Sequence, residues 1–289
     1  MHRRQRYRVL LLLLLVSCLL SSCAADPAWN QPQKAFRIYG NTYYVGTHGL
    51  SSVLITSPAG HVLIDGALAE SVPLIVANIR SLGFRLEDIR LIVNSHVHFD
   101  HAGGIAEIQK LTGARVAASK WSADVMKQGA VPRDDPQFGT ITPIARVARV
   151  ETFKDGDAFT AGAVTVTAHL TPGHTPGGTS WTWRSCEGAR CLDLVYADSL
   201  SPVSADGFLF TSSKEYPHAL DDFEQSFSFL NTTPCDILIT PHPEVSNLWQ
   251  RLEQRNSNPD ALIDRNACRA LAEDFRERLT RRLAAERSK

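Results

Sequence analysis

The sequence predicts an αββα sandwich, in which two mixed β-sheets pack face to face and helices cover both outer faces. The first observation is that strand-like and helical stretches alternate along the chain in two successive sets. The second is a histidine-rich loop at 95–101, which follows an apolar stretch at 91–93 and separates the two sets. The third is the composition of the 289-residue chain, which is 44% hydrophobic and 21% charged and so supports a large core. No linker or low-complexity segment divides the chain, and we expect one domain over residues 23–289.

The first half of the chain consists of short apolar runs separated by turn residues. Runs rich in apolar and β-branched residues predict six strands: 36–39, 42–45, 52–56, 62–65, 91–93 and 115–118. Apolar residues at helical spacing predict three helices: 71–82, 105–111 and 121–128. Gly83 and Gly113 follow the first two helices, where glycine commonly ends a helix.

The second half opens with an irregular, proline-rich stretch at 129–147. A long loop inside a compact domain is usually functional, and we expect this one to be so. The alternation then resumes and predicts four strands: 164–170, 181–183, 192–196 and 237–240. Helices are predicted at 220–230 and in the charged tail that starts at Ala261.

Residues 1–22 have the pattern of a secretory signal peptide. Four arginines precede an apolar run over 9–20 that is too short to span a bilayer comfortably. Two ways of processing stay open. The stretch 20–23 resembles a bacterial lipobox, in which Cys23 is lipidated, whereas an ordinary signal peptidase would cut near Ala24-Ala25. We expect a periplasmic protein, which in the first case is an outer-membrane lipoprotein held to the membrane only through Cys23.

The charge balance of the mature chain excludes one class of partner. Loss of the four signal arginines leaves 30 − 4 = 26 basic residues against 30 acidic ones, a net charge of about −4. This gives no electrostatic case for nucleic-acid binding, and we expect none. We expect the mature chain to be a monomer.

Four cysteines remain after the signal segment, and they allow three disulfide pairings. Cys186 and Cys191 flank a turn-like insert at 187–190, which favours pairing them with each other. Cys235 would then pair with Cys268, as suits an oxidising compartment. A cysteine-based zinc site is disfavoured because no C-x-x-C spacing occurs.

Three imidazoles and one carboxylate fall within six residues, in an H-x-H-x-D-H motif formed by His96, His98, Asp100 and His101. Imidazole combined with carboxylate suits zinc better than magnesium or calcium, which prefer oxygen ligands alone. His174 and His242 also lie in loops directly after predicted strands, and we expect them to join the motif as ligands. The remaining histidines have no such setting and are expected on the surface or in packing: His2, His48, His61, His169 and His218.

These motifs resemble those of the subclass B3 enzymes of the metallo-β-lactamase superfamily. The resemblance extends over nearly the whole mature chain and is carried by six segments: 41–47, 61–66, 95–101, 171–183, 196–201 and 240–243. It implies the metallo-β-lactamase fold and the activity of a zinc-dependent hydrolase. Subclass B1 enzymes use a cysteine for the second zinc, but here Ser199 stands at the corresponding place and His101 supplies the ligand instead.

The resemblance implies two zinc ions per chain. The first would be bound by His96, His98 and His174, and the second by Asp100, His101 and His242. Asp100 would be both a ligand and the catalytic group that orients water. A hydroxide shared by the two zinc ions would attack the amide carbonyl of a small-molecule β-lactam, a penicillin, cephalosporin or carbapenem, and so confer antibiotic resistance.

The same resemblance implies the substrate contacts. Ser199 and Ser201 would bind the substrate carboxylate, directly or through water. Trp29, Gln137 and Phe138 would line the mouth of the groove.

Two alternatives to a β-lactamase stay open at this point. Lactonases and glyoxalase II-like thioesterases belong to the same superfamily, and many bridge their metals with an aspartate after a late strand, near the position of Asp198. Against them, residues 199–201 follow in the lactamase manner and Gly178 stands where thioesterases often have a histidine. The other alternative is a non-catalytic zinc-binding module of the envelope. Asp65 is expected either to support a ligand histidine or to shape a turn.

Overall fold

The structure is a computed structural model that describes residues 26–288, so the predicted signal peptide lies outside the described residues. The first sheet contains seven strands: β1 (Phe36–Tyr39), β2 (Thr42–Tyr44), β3 (Val53–Ile55), β4 (His61–Ile64), β5 (Ile89–Val93), β6 (Arg115–Ser119) and β7 (Glu151–Phe153). They lie in chain order across the sheet. β1 to β4 pair antiparallel through short turns, whereas β4 to β7 pair parallel and need longer crossovers.

The second sheet contains the remaining strands: β8 (Ala158–Ala161), β9 (Val164–Leu170), β10 (Thr179–Glu187), β11 (Arg190–Tyr196) and β12 (Ile237–Ile239). Their order across the sheet is β12-β11-β10-β9-β8. β8 to β11 form an antiparallel meander, and β12 adds parallel to β11.

Helices cover both outer faces of the sandwich, and their bounds are α1 (Val72–Ser81), α2 (Phe99–Ala102), α3 (Ile105–Thr112), α4 (Lys120–Gln128), α5 (Ala219–Thr232), α6 (Leu248–Gln254) and α7 (Ala267–Arg287). In β4, Val62 and Ile64 face the core between the sheets, while Leu63 faces the core under α1, α3 and α4. A stretch of strand buried on both faces is apolar throughout, which explains the apolar runs at 62–64 in β4 and 91–93 in β5. A third core joins the second sheet to α5 and α7. The predicted αββα sandwich is confirmed.

Hydrogen bonds across the sandwich bring the histidine-bearing loops together. The Thr179 amide donates to the Ser95 carbonyl at 2.9 Å, which ties β10 to the loop after β5. The Trp181 indole donates to the Asn94 carbonyl at 3.0 Å, and the Ser51 amide donates to the Pro241 carbonyl at 2.8 Å. Loops that lie far apart in the chain therefore meet at one edge of the molecule.

The structure contains both expected disulfides, Cys186–Cys191 and Cys235–Cys268. The second joins the segment before β12 to the first turn of α7. Among residues 26–288, no helix has the length and apolar character that a bilayer crossing requires.

Four of these elements were not predicted from the sequence: β7, β8, α6 and α2, the single turn in which the histidine-rich loop ends. β7 and β8 are edge strands with mostly exposed or half-exposed side chains, so their residues form no apolar run. α6 has only seven residues and one buried side chain, Leu248, which is too little to produce a helical pattern.

Candidate active site

The histidine-rich loop begins at the end of β5 and continues into the single turn of α2. Asp65, directly after β4, holds the base of this loop. Its carboxylate accepts hydrogen bonds from the Ser95 amide at 2.7 Å, the Ser95 hydroxyl at 2.6 Å and the Tyr196 hydroxyl at 2.8 Å. Asp65 is fully buried and has a left-handed φ of 60°, and it hydrogen-bonds to no histidine among the described residues. Asp65 therefore fixes the loop, and it does not support a ligand histidine directly.

Three imidazoles converge beside this loop, since ligand-type atoms of His96, His98 and His174 all lie within 4.8 Å of one another. The outward nitrogen of each ring has its own hydrogen-bond partner: His96 Nδ1 with Asp198 Oδ1 at 2.7 Å, His98 Nε2 with Asp135 Oδ2 at 3.1 Å, and His174 Nδ1 with the Ser201 carbonyl at 2.8 Å. A carbonyl oxygen can only accept, so His174 Nδ1 carries the proton and Nε2 presents a lone pair to the cluster. For His96 and His98 the partner is a carboxylate oxygen, and a ring nitrogen that donates to it leaves the other nitrogen of the ring to present a lone pair to the cluster.

The second predicted set of ligands is gathered next to the first. Asp100 Oδ2 lies 3.1 Å from His101 Nε2 and 3.3 Å from His242 Nε2, and the rings of His101 and His242 are 4.9 Å apart. The three residues here whose ligand-type atoms all lie within 4.8 Å of one another, however, are His96, Asp100 and His101. His242 thus lies at the edge of this set. His101 Nδ1 is buried without a hydrogen-bond partner in the described chain.

Burial and mutual repulsion set the protonation of the cluster. Burial, followed by the charges of His101 and His98, holds the pKa of His96 well below its ordinary value of 6.5. Burial also lowers the pKa of His174 to about 3. Burial raises the pKa of Asp100, but His101 and His242 outweigh this effect and hold it well below 3.8. Neutral imidazoles with inward lone pairs and an ionised carboxylate are the donor set that fits zinc.

A cavity of about 310 Å³ opens over the cluster. Four of the predicted substrate-contact residues line it: Trp29, Gln137, Ser199 and Ser201. The prediction for Phe138 differs from the structure, because Phe138 is not among the lining residues and its ring is 42% exposed beneath the Arg133 guanidinium. The Gln137 backbone amide donates to Asp135 Oδ1, and Gln137 lines the cavity whereas Phe138 does not.

The sequence did not indicate the rest of the cavity wall. Ile141, Val203, Val245 and Phe275 add apolar surface, and Val203 and Val245 are exposed at 49% and 38%. Arg278 of α7 is the one arginine or lysine among the described lining residues. The tail was predicted as a helix, but no sequence signal placed that helix against the site.

Two acidic side chains that bond to ligand histidines were not predicted in that role, Asp135 and Asp198; Asp198 was considered as a bridging ligand in the lactonase or thioesterase alternative. Both are buried, at 0% and 1% exposure. Asp198 belongs to neither group of candidate ligands and instead bonds to His96. Gly178 makes room for it, because a Cβ at this position would lie 2.4 Å from Asp198 Oδ2. Asp135 follows no periodic pattern, and its place in the long loop two residues before Gln137 was the only available signal.

Comparison with known proteins identifies the family. The family model of the metallo-β-lactamase superfamily matches residues 45–263. The chain belongs to the metallo-β-lactamase superfamily. Rm3 metallo-β-lactamase is similar with a TM-score of 0.89 and 54% identity, over 90% of this chain and 97% of that chain. MEM-A1, a subclass B3 metallo-β-lactamase from a soil metagenome library, has a TM-score of 0.88 and 48% identity, over 90% of this chain and 99% of that chain. The predicted family, zinc-hydrolase class and subclass are confirmed.

Other members of the superfamily match less of the chain. The N-acyl homoserine lactonase AttM of Agrobacterium fabrum is 29% identical over 160 residues, which cover 45% of this chain and 58% of the lactonase. The hydroxyacylglutathione hydrolase of Methylobacterium nodulans is 36% identical over 96 residues, which cover 33% of this chain and 29% of the hydrolase. The chain therefore spans less than two thirds of the length of these two relatives.

Proposed function

We propose that this chain is an exported, zinc-dependent β-lactamase that hydrolyses the amide bond of penicillins, cephalosporins and carbapenems and so confers antibiotic resistance. The observation that carries the proposal is the cluster of three oriented imidazoles beside Asp100, His101 and His242, beneath a largely apolar cavity. The 54% identity to a metallo-β-lactamase over 90% of this chain supports the same substrate class.

We assign two zinc ions to the site, one bound by His96, His98 and His174 and the other by Asp100, His101 and His242. When bound, the metal ions supply Lewis acidity and lower the pKa of a coordinated water molecule towards neutrality. Asp100, ionised and bonded to two imidazoles through Oδ2, retains acceptor capacity with which it can orient water beside the cluster.

The cavity wall provides the groups that would position a bicyclic β-lactam. Ser199 and Ser201 contribute hydroxyl donors, and Arg278 contributes the only arginine or lysine charge among the described lining residues. These groups suit the carboxylate that such substrates carry. The Trp29 ring lies 5.2 Å from the His242 ring and lines that side of the cavity.

A lactonase or glyoxalase II-like thioesterase is the second candidate, since relatives with these names match part of the chain. The position of Asp198 argues against it. A bridging aspartate would face the metals, whereas Asp198 Oδ1 bonds to His96 Nδ1 at 2.7 Å and thereby orients a ligand. This arrangement supports the β-lactamase proposal.

One comparison tests the choice of substrate. The purified, zinc-loaded enzyme would be assayed with a carbapenem, an N-acyl homoserine lactone and a glutathione thioester. We expect the largest kcat/KM for the carbapenem, and loss of activity when a chelator removes the metal. A larger kcat/KM for the lactone or the thioester would replace this proposal with the second candidate.

The number of metal ions is tested by elemental analysis. We expect about two zinc ions per chain at saturation, and His242→Ala should lose chiefly the second of them. His48→Ala is the matched control, because the His48 ring stacks on Trp249 and does not line the cavity. A single zinc ion at saturation with full activity would contradict the assignment of two.

A further inference from the structure

The loop between α4 and β7, residues 129–150, contains no helix or strand, yet it carries Gln137 into the active site. Its ends are fixed by backbone hydrogen bonds: the Ile144 amide donates to the Gly129 carbonyl at 2.8 Å, and the Val147 amide donates to the Met126 carbonyl at 3.0 Å. Neither bond involves the metal-binding cluster. The middle of the loop is held by two further bonds: the Ala205 amide donates to the Pro136 carbonyl at 2.8 Å, and the Trp121 indole donates to Asp134 Oδ2 at 2.9 Å. None of these bonds reaches a ligand histidine, so the connection to the cluster must come from another group.

The Asp135 side chain provides that connection. Asp135 Oδ2 lies 3.1 Å from His98 Nε2, and Oδ1 accepts a hydrogen bond from the Gln137 backbone amide at 2.8 Å. The residue is fully buried, so water does not compete for either oxygen. One carboxylate thus joins the outward nitrogen of a ligand histidine to the backbone of the substrate loop.

This bond affects the metal-facing side of His98 as well. An acceptor at Nε2 keeps the proton on that nitrogen and leaves the Nδ1 lone pair facing the cluster. The Gln137 side-chain amide nitrogen lies 3.5 Å from His98 Nδ1 and 3.5 Å from His174 Nε2. A displacement of Asp135 would therefore disturb the orientation of the ligand and the position of Gln137 together.

We propose that Asp135 is a positioning residue that couples zinc binding at His98 to the placement of the 129–150 loop over the cavity. If Nδ1 of His98 held a metal ion, the ring would lose electron density, and its Nε2–H would become a stronger donor to Asp135. Coupling between two sites is reciprocal, so a loop held in place by Asp135 also strengthens zinc binding. The inference rests on the zinc site of the proposed function.

The first test measures the zinc dissociation constant by competition with a chromophoric chelator. Asp135→Asn cannot accept through both oxygens, and we expect it to weaken zinc binding about 10–100-fold. Asp134→Asn is the matched control, because this neighbouring carboxylate accepts a hydrogen bond from the Trp121 indole at 2.9 Å and does not contact the cluster. An unchanged zinc Kd in Asp135→Asn, or an equal loss in Asp134→Asn, would overturn the inference. If the parent protein binds no zinc, the proposed function itself fails.

The second test measures amide exchange in the loop directly, and its main comparison uses only the parent protein. Hydrogen–deuterium exchange would be compared between the metal-free and zinc-loaded parent protein. The Gln137 amide donates to Asp135, so we expect zinc to slow exchange in peptides that cover 135–140, and we expect Asp135→Asn to abolish that difference. Equal exchange in the two parent samples would refute the coupling even if Asp135→Asn failed to fold.

Discussion

Each histidine of the three-imidazole cluster has its metal-facing nitrogen selected by a different neighbour. Asp198 and the Ser201 carbonyl bond to Nδ1 of His96 and His174, whereas Asp135 bonds to Nε2 of His98. Ser201 has two separate functions in this arrangement. Its carbonyl orients a ligand, and its side chain lines the cavity where substrate would lie. Metal binding and substrate binding can therefore be separated at this residue, because alanine retains the carbonyl.

That separation leads to a prediction for the double variant Ser199→Ala with Ser201→Ala. Loss of both hydroxyls should raise KM for a carbapenem, because two donors to the substrate carboxylate disappear. Hydrogen bonds to a charged group contribute about 1.5–3 kcal/mol each, so kcat/KM should fall at least about tenfold. Zinc content should stay at the parent value. Steady-state kinetics together with elemental analysis check both parts.

Ser228→Ala is the matched control for this prediction, since Ser228 is an exposed serine of α5 that does not line the cavity. Its kinetics should equal those of the parent. An unchanged KM in the double variant would exclude the serines as carboxylate ligands. Loss of zinc would show instead that they support the metal site.

The predicted metal ligands and their supporting residues differ in how far the sequence can reveal them. The motif at 96–101 is local, and its spacing alone indicated a metal site. His174 and His242 were found because each follows a strand; the structure brings His174 into the three-imidazole cluster and His242 to 3.3 Å from Asp100. Asp135 contacts His98, which lies 37 positions earlier in the chain, and Asp198 contacts His96, which lies 102 positions earlier. No local sequence pattern encodes contacts over such separations. Phe138 was assigned to the groove together with Gln137 from the family resemblance, but adjacent side chains of an irregular loop need not point the same way.

At the scale of a single element, α7 forms part of the cavity wall through Phe275 and Arg278. The Cys235–Cys268 disulfide fixes the start of this helix. Glu286 fixes its other end by accepting hydrogen bonds from the Phe210 amide at 3.2 Å, from the Thr211 amide at 3.0 Å and from the Arg282 guanidinium at 2.7 Å. The helix is therefore attached at both ends, and its middle section is held at the site.

The Glu286 contacts predict a pH-dependent contribution to stability. Burial raises the pKa of Glu286, but the hydrogen bonds from Arg282, Thr211 and Phe210 outweigh this and hold the pKa below 4.5. A carboxyl group whose pKa is lower in the folded state stabilises the protein at pH values above its unfolded-state pKa. This stabilisation is lost as the pH falls through its folded-state pKa. Glu286→Gln should therefore lower the free energy of unfolding by about 1–3 kcal/mol at pH 7. The difference between variant and parent should shrink below about pH 4.5.

Denaturant unfolding of both proteins across this pH range checks the prediction. Glu277→Gln is the matched control on the same helix, because Glu277 pairs with Arg281 and its side chain is 69% exposed. An exposed pair contributes at most about 1 kcal/mol, and we expect little change in this variant. A Glu286→Gln deficit that persists undiminished at low pH would indicate a packing defect and not the loss of a charged acceptor.

For the whole molecule, the layer architecture was predictable because buried strands and amphipathic helices leave strong patterns. The apolar run at 91–93 indicated a buried strand, and the order of strands and helices indicated two sheets with helices outside. β7 and β8 were missed since edge strands bury too few side chains, and α6 was missed because it is short. The meeting of α7 with the cavity could not be predicted, since it depends on how the third core packs.

The last prediction concerns where the whole molecule lies in the cell. We propose that the chain is exported and that Cys23 is either lipidated or removed with the signal. The described chain starts at Asp26, and the ring of Trp29 already lies 5.2 Å from that of His242. Six residues reach about 20 Å when extended. A lipid on Cys23 would therefore hold the cavity close to the membrane surface.

Cell fractionation with intact-mass measurement distinguishes the two ways of processing. In the lipidated case, Cys23→Ser should move the protein from the membrane fraction to the periplasmic fraction, because each buried CH₂ of an acyl chain contributes about 0.8 kcal/mol to membrane binding. The kcat/KM for a soluble carbapenem should be unchanged, since Cys23 precedes every described residue that lines the cavity. A soluble parent protein whose N-terminus lies after residue 23 would indicate ordinary cleavage. A mature protein that retains Met1 would refute export itself.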